Sequence, residues 1–184
     1  MKYHNIVLPS LSLIQEKVQR AIPIKYDIFP GLTYLPNNKE LFLSIPELSS
    51  ALVSLGLLDY IDCIAVNTFW KTTSPIHRDS GYSKYSLNIP LCGYKGTYLE
   101  YFTTDVEPIK KSTASFVNTE LDPIYYDYPI ESCILDTIVP TDCPVIINIK
   151  QPHRFINPHS EKRSILLIRL RDCPEVDTIV ANLE

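Results

Sequence analysis

His77-Arg78-Asp79 and, far downstream, Pro144-Val145-Ile146-Ile147-Asn148-Ile149-Lys150-Gln151-Pro152-His153 are the stretches on which the fold turns. The triplet stands between two apolar runs, Ile61 to Phe69 and Tyr85 to Leu91. The later stretch begins as a continuous apolar segment, the pattern of a buried strand, and delivers an imidazole at its end. Ten residues past His153, Arg163 opens a further apolar run, Ser164 to Leu170. Extended segments that deliver polar groups at their ends, from Ile76 to Arg163, describe a β-protein with its chemistry inside.

Outward from that centre, the remaining runs are short and punctuated. Thr97 to Thr103, Ser112 to Val117 and Ser132 to Val139 join the runs above to make about seven or eight strands, with turn residues between nearly all of them. That spacing predicts an antiparallel sandwich or jelly roll. Glu120 to Tyr128 is the least regular part of this region and reads as a loop over the mouth of the barrel.

The N-terminal third is different. Ile6-Val7-Leu8-Pro9 reads as an edge strand or extended lead-in, and Ser10 as the cap of a helix whose apolar face is Leu11, Leu13, Ile14, Val18 and Ile22. Pro23 to Pro36 is extended, and Asn37-Asn38 a turn. Ser44-Ile45-Pro46-Glu47 has the form of a capping box with an early proline, followed by Leu48, Leu52, Leu55 and Leu58, with Gly56 at the end. Two such helices ahead of many strands predict helices packed outside the sheets. The expected fold class is therefore mostly β with flanking α, in a single domain. Residues 1–58 form a helical buttress, 59–171 the jelly-roll core, and 172–184 a polar tail or short helix.

Composition narrows the function classes. The chain has 184 residues, enough for one domain with a core around a site. A net charge of −4 and no run of Lys or Arg argue against nucleic acid as a partner, with a local basic patch of Lys84, Lys95, Lys110 and Lys111 as the one feature that would favour it. No apolar run reaches the roughly 20 residues of a membrane span. The five cysteines (Cys63, Cys92, Cys133, Cys143 and Cys173) form no C-x-x-C pair and are odd in number. With no leader-like stretch, reduced thiols and a cytoplasmic location are the expectation.

His77 and Asp79 are two residues apart, so on an extended segment both side chains point the same way. Two imidazoles and one carboxylate on one face of a metal, with the other positions open, form the ligand set of a non-haem Fe(II) site. The third ligand has to come from a distant strand, and His153 stands where such a strand ends. His159, beside Pro158, competes with it from closer to a turn, and nothing ties His4 to the site. His-Arg-Asp also spells a protein-kinase triplet. The Leu and Asn that a kinase needs after it are Ser80 and Lys84 here, there is no Gly-rich loop, and that reading fails.

His-x-Asp, a strand-terminal His, a cation ten residues on, and strands on both sides stand in the order found in the Fe(II)/2-oxoglutarate-dependent oxygenases. Over roughly Ile61 to Arg171 the chain resembles that superfamily, in the compact prolyl-hydroxylase-like form of bacteria and phages. The resemblance implies that His77, Asp79 and His153 hold Fe(II) as the catalytic metal ligands. It implies too that Arg163 binds the distal carboxylate of the cosubstrate 2-oxoglutarate, a task suited to a planar bidentate cation. Many members place a Ser two residues after that Arg. Here the position is Ile165, so a second carboxylate contact is left to Tyr85 or Asn88, which face opposite sides, with Tyr98 and Tyr101 as further candidates. The implied reaction uses O2 to hydroxylate a peptidyl side chain, an amino acid or a small metabolite. Subfamily and oligomeric state do not follow from it. The competing classes are a non-catalytic jelly-roll binding or structural protein, and a cupin-like metalloprotein that uses no 2-oxoglutarate. Cupins present His-x-His with a nearby Glu, which this chain lacks.

Overall fold

The computed structural model describes residues 3–22, 33–35, 39–69, 73–79, 83–112, 124–159 and 161–183. The N-terminal part contains β1 (Tyr3–Asn5), α1 (Leu11–Ala21), β2 (Thr33–Leu35), α2 (Lys39–Leu43) and α3 (Pro46–Ser54). The central part runs through β3 (Ile61–Phe69), β4 (His77–Asp79), β5 (Ser83–Cys92), β6 (Tyr98–Thr103), β7 (Ile109–Ser112) and β8 (Ile124–Asp127). It closes with β9 (Ile134–Pro140), β10 (Val145–Asn148), β11 (His153–Ile156), β12 (Arg163–Arg171) and α4 (Pro174–Ala181).

The strands form two six-stranded sheets, ordered β1-β10-β5-β12-β3-β2 and β7-β8-β4-β11-β6-β9. Every pairing within them is antiparallel. The chain changes sheet repeatedly: β3, β5, β10 and β12 lie in the first, and β4, β6, β9 and β11 in the second. β4 and β11, far apart in sequence, thereby become neighbours.

Each face of the first sheet has its own partner, and the period of two along each strand decides which residue goes where. One face carries Ile64, Leu87, Ile89, Ile146, Leu166, Ile168 and Leu170 against Ile14 and Val18 of α1, Leu48 and Leu52 of α3, and Val176 and Val180 of α4. Each such fully buried Leu, Ile or Val contributes about 1.5–3 kcal/mol of transfer free energy. On the other face, Val145, Ile147 and Ile149 meet Leu99, Tyr101 and Val139 of the second sheet. This inner face also carries Arg163, Ile165, Leu167 and Arg169 of β12.

Pro90 sits within β5, where a missing N–H has to fall outside the ladder. β10 pairs only with Tyr85 to Asn88, so that side is open by Pro90. α1 covers it: Gln15 Nε2 donates to the Pro90 carbonyl at 2.7 Å and Gln19 Nε2 to that of Leu91 at 2.5 Å.

Several expectations are corrected. Ser10 precedes α1 at φ 58° and makes no side-chain cap; its carbonyl accepts from Leu13 and Ile14 instead. Ser44 does not cap α3. It ends the additional helix α2, its Oγ donating to the Leu41 carbonyl at 2.6 Å, while Ile45 stands at the start of α3. Glu47 closes no capping box because Lys17 of α1 takes its carboxylate at 2.5 Å. Gly56 does end α3, at φ +68°. The loop read over Glu120 to Tyr128 contains β8, which pairs with β4 and β7. Its Ile-Tyr-Tyr-Asp is β-branched and aromatic, a composition suited to a pleated surface. β7 reaches Ser112, the first residue of the strand read over Ser112 to Val117; residues 113–117 lie outside the described residues, as do most of the Pro23 to Pro36 segment and the Asn37-Asn38 turn. No helix among the described residues is long and apolar enough to cross a membrane.

Candidate metal centre

His153 opens β11 directly opposite His77 in the antiparallel pairing with β4. Two residues along β4, Asp79 falls on the same inner side. Ligand atoms of His77, Asp79 and His153 all lie within 4.8 Å of one another, and these residues are the one such group among the described residues. The two imidazole rings have centroids 4.6 Å apart. His153 and Asp79 are buried, and His77 is half-buried.

Both rings are oriented from behind in the same way. His77 Nδ1 lies 2.8 Å from the Pro75 carbonyl, and His153 Nδ1 2.8 Å from the Gln151 carbonyl. A carbonyl only accepts, so each Nδ1 carries the proton and each Nε2 turns its lone pair inward. Asp79 divides its two oxygens: Oδ2 is paired with the Arg169 guanidinium, and Oδ1 is buried with no hydrogen-bond partner, 3.6 Å from His77 Nε2. A buried, partnerless carboxylate oxygen facing two imidazole lone pairs is unfavourable unless a cation sits among them. Two nitrogens and one oxygen on one side, leaving the opposite positions open, suit Fe(II).

The protonation states agree with that use. Burial, helped by the neighbouring His77, pushes the His153 imidazolium down to about 4, so the ring is neutral at neutral pH. Burial alone would raise the Asp79 carboxyl, but its surroundings, led by the Arg169 guanidinium, outweigh it and hold it below the usual carboxylate range.

Farther along the inner wall lies Arg163, 2 % exposed. Its Nε donates to Thr97 Oγ1 at 3.3 Å and its Nη2 to Thr141 Oγ1 at 3.2 Å, and its guanidinium carbon lies 4.7 Å from the Phe155 ring centre. Phe155 follows His153 by two residues on β11, so both side chains fall on the inner face and the cation lies along the same wall as the imidazoles. Burial lowers the Arg163 pKa to about 10, which leaves it charged at neutral pH.

No protein-family model matches the sequence, and no curated protein matches it. Among solved structures, a prolyl-4-hydroxylase of Pseudomonas putida is similar over 94% of this chain and 93% of that one, with 11% identity and a TM-score of 0.48. The non-haem α-ketoglutarate-dependent epimerase SnoN of nogalamycin biosynthesis is similar over 93% of this chain and 76% of that one, at 8% identity and a TM-score of 0.45. At such scores these likenesses carry no argument about activity. The weight rests on the side chains.

The other residues singled out by sequence are distributed as follows. Asn88 lies on the inner face, paired with Val145 and Leu167. It is buried, it accepts from Ser86 Oγ at 2.7 Å, and its Nδ2 has no partner. Tyr85 lies on the opposite, helix-facing side, packed in the outer core beside Lys84. Tyr101 is fully buried on the inner face near the His153 ring and donates to the Asn148 carbonyl at 3.2 Å. Tyr98 has the other parity on β6 and faces outward. His159 follows β11 near Gly96, and His4 pairs with Ile146 in β1; neither belongs to the three-ligand group.

Arg169, a residue outside the set singled out by sequence, is a partner of Asp79. The signal was present: Arg169 is six residues past Arg163 on one strand, so both share a face. Thr97, read as the first residue of a strand, falls just before β6, and Thr141 just after β9, and nothing in the sequence ties either to Arg163.

Proposed function

We propose that this chain is an Fe(II)- and 2-oxoglutarate-dependent oxygenase built on a double-stranded β-helix. The alternation of strands between two antiparallel sheets is the winding such a jelly roll has, with the site inside it. One observation carries the reading: an unpartnered buried oxygen of Asp79 faces two inward imidazole lone pairs, with a buried arginine farther along the same inner wall.

His77, Asp79 and His153 hold the metal from one side and leave the other side for ligands. Arg163 binds the distal carboxylate of 2-oxoglutarate. Asn88 Nδ2, a buried donor on the inner face between these groups, supplies a further hydrogen bond to the cosubstrate. Val145, Ile147, Ile149 and Leu99 line the interior with apolar surface and exclude water from it. Bound here, ferrous iron with 2-oxoglutarate and O2 supplies the oxidising chemistry, releasing succinate and CO2 and placing one oxygen atom on a substrate C–H bond. The substrate is an amino acid, a peptidyl side chain or a small metabolite. The chain itself needs no acid or base; its part is geometry, charge and exclusion of water.

Anaerobic titration of the metal-free protein with Fe(II), then 2-oxoglutarate, tests the reading through the visible charge-transfer band of the chelate. The band is expected in the wild-type protein, absent in His153→Ala, and shifted to much higher 2-oxoglutarate concentration in Arg163→Ala. Iron uptake without any band overturns the assignment in favour of a metalloprotein that uses no 2-oxoglutarate.

A further inference from the structure

The sequence lacks a hydroxyl two residues after Arg163, where Ile165 stands, yet two buried hydroxyls reach that guanidinium from elsewhere. Thr97 lies just before β6 and Thr141 just after β9, and both are buried. Their backbones are tied together, Thr141 N–H donating to the Thr97 carbonyl at 3.1 Å. Their hydroxyl oxygens are 2.9 Å apart.

The proton order follows by elimination. Thr97 Oγ1 donates to the Tyr94 carbonyl at 2.7 Å, so its single proton is used there. Between the two threonines the donor is therefore Thr141. Thr97 Oγ1 accepts both that proton and the Arg163 Nε–H, and Thr141 Oγ1 accepts from Nη2. Nε and Nη2 form one edge of the planar guanidinium, and the hydroxyl pair occupies it much as the two oxygens of a carboxylate would. The Phe155 ring lies against the same guanidinium.

We infer that Thr97 and Thr141 are positioning residues that set the orientation of Arg163, so that its Nη1–Nη2 edge meets the distal carboxylate of a five-carbon 2-oxo diacid. This rests on the proposed oxygenase reading and adds a residue-level cause for selection between a diacid and a shorter 2-oxo acid. A carboxylate bound end-on keeps the threonine contacts intact. A 2-oxo acid without a distal carboxylate makes no use of them.

The test compares Thr141→Val and Thr97→Val with Thr141→Ser in the Fe(II)-loaded protein under anaerobic conditions. Affinity is read from the charge-transfer band for 2-oxoglutarate and for 2-oxobutyrate, which lacks the distal carboxylate. Each valine variant is expected to weaken 2-oxoglutarate about tenfold, the size of one lost hydrogen bond to a charged group. Affinity for 2-oxobutyrate stays within about twofold, which no general loosening of the fold would produce. Thr141→Ser restores 2-oxoglutarate binding. Equal weakening of both acids by the valine variants, or no weakening of either, overturns the inference while leaving the oxygenase reading in place. Wild-type protein that takes up iron but forms no band with either acid overturns both.

Discussion

Arg169→Met removes the cation from a buried pair and leaves the Asp79 carboxylate facing only the two imidazoles. Taking one partner from a buried ion pair costs about 3–5 kcal/mol. Asp79 is 4% exposed and Arg169 14% exposed, so some water reaches the arginine and the lower end, about 3 kcal/mol, applies. For a chain of 184 residues that corresponds to a fall of about 6–12 °C in Tm for the metal-free protein. A divalent ion bound by His77, Asp79 and His153 puts positive charge back beside the same carboxylate. Saturating Mn(II) should therefore raise the Tm of Arg169→Met by more than it raises that of the wild type. Asp79→Asn removes the charge that Arg169 answers, so adding Arg169→Met to it should cost less than about 1 kcal/mol. Urea unfolding and thermal melts of the four proteins, with and without Mn(II), measure these quantities. An equal cost of Arg169→Met in both backgrounds would refute the argument that the arginine acts through Asp79.

Three further outcomes are expected. His153 has a folded-state pKa of about 4 against an ordinary 6.5, so the unfolded chain binds the extra proton between those values. The stability of the metal-free protein should then be complete above pH 6.5 and fall by roughly 3 kcal/mol as the pH drops to 4, with Asp79 adding to the loss below that; a flat urea midpoint across this window contradicts it. Gly93 has φ +61°, and a Cβ there would lie 1.9 Å from the Lys162 carbonyl oxygen, whereas one on Gly96, at φ +71°, would meet nothing nearer than 3.5 Å. Gly96→Ala should cost about 1 kcal/mol of backbone strain and Gly93→Ala several times more, since it displaces the start of β12; similar melting temperatures for the two would contradict this. His77→Ala should abolish Co(II) binding read by visible absorption, and His159→Ala should leave it unchanged; retained binding in the first variant would exclude the three-ligand centre.

The sequence by itself carried most of the strands, the order of the candidate ligands and the parity that puts His77 with Asp79. Period-two patterning is local, and a buried strand such as Val145 to Asn148 has to be apolar whatever it pairs with. It also marked Arg163 as a cation opening an apolar run. The caps at Ser10 and Ser44 do not form, because capping depends on which partner is nearest in space. Glu47 had Lys17 of another helix available, and nothing near it in sequence reveals that. Ile124 to Asp127 reads as loop because its signal is only four residues long, and a short strand forms when neighbours such as β4 and β7 present their ladders. Only the tertiary structure decided that Asn88 faces inward and Tyr85 the helices, that Arg169 belongs to Asp79, and that Thr97 and Thr141 meet at Arg163. These are relations between strands that the chain visits at different times. Their register is set by packing across the sheets, and no single segment holds that information.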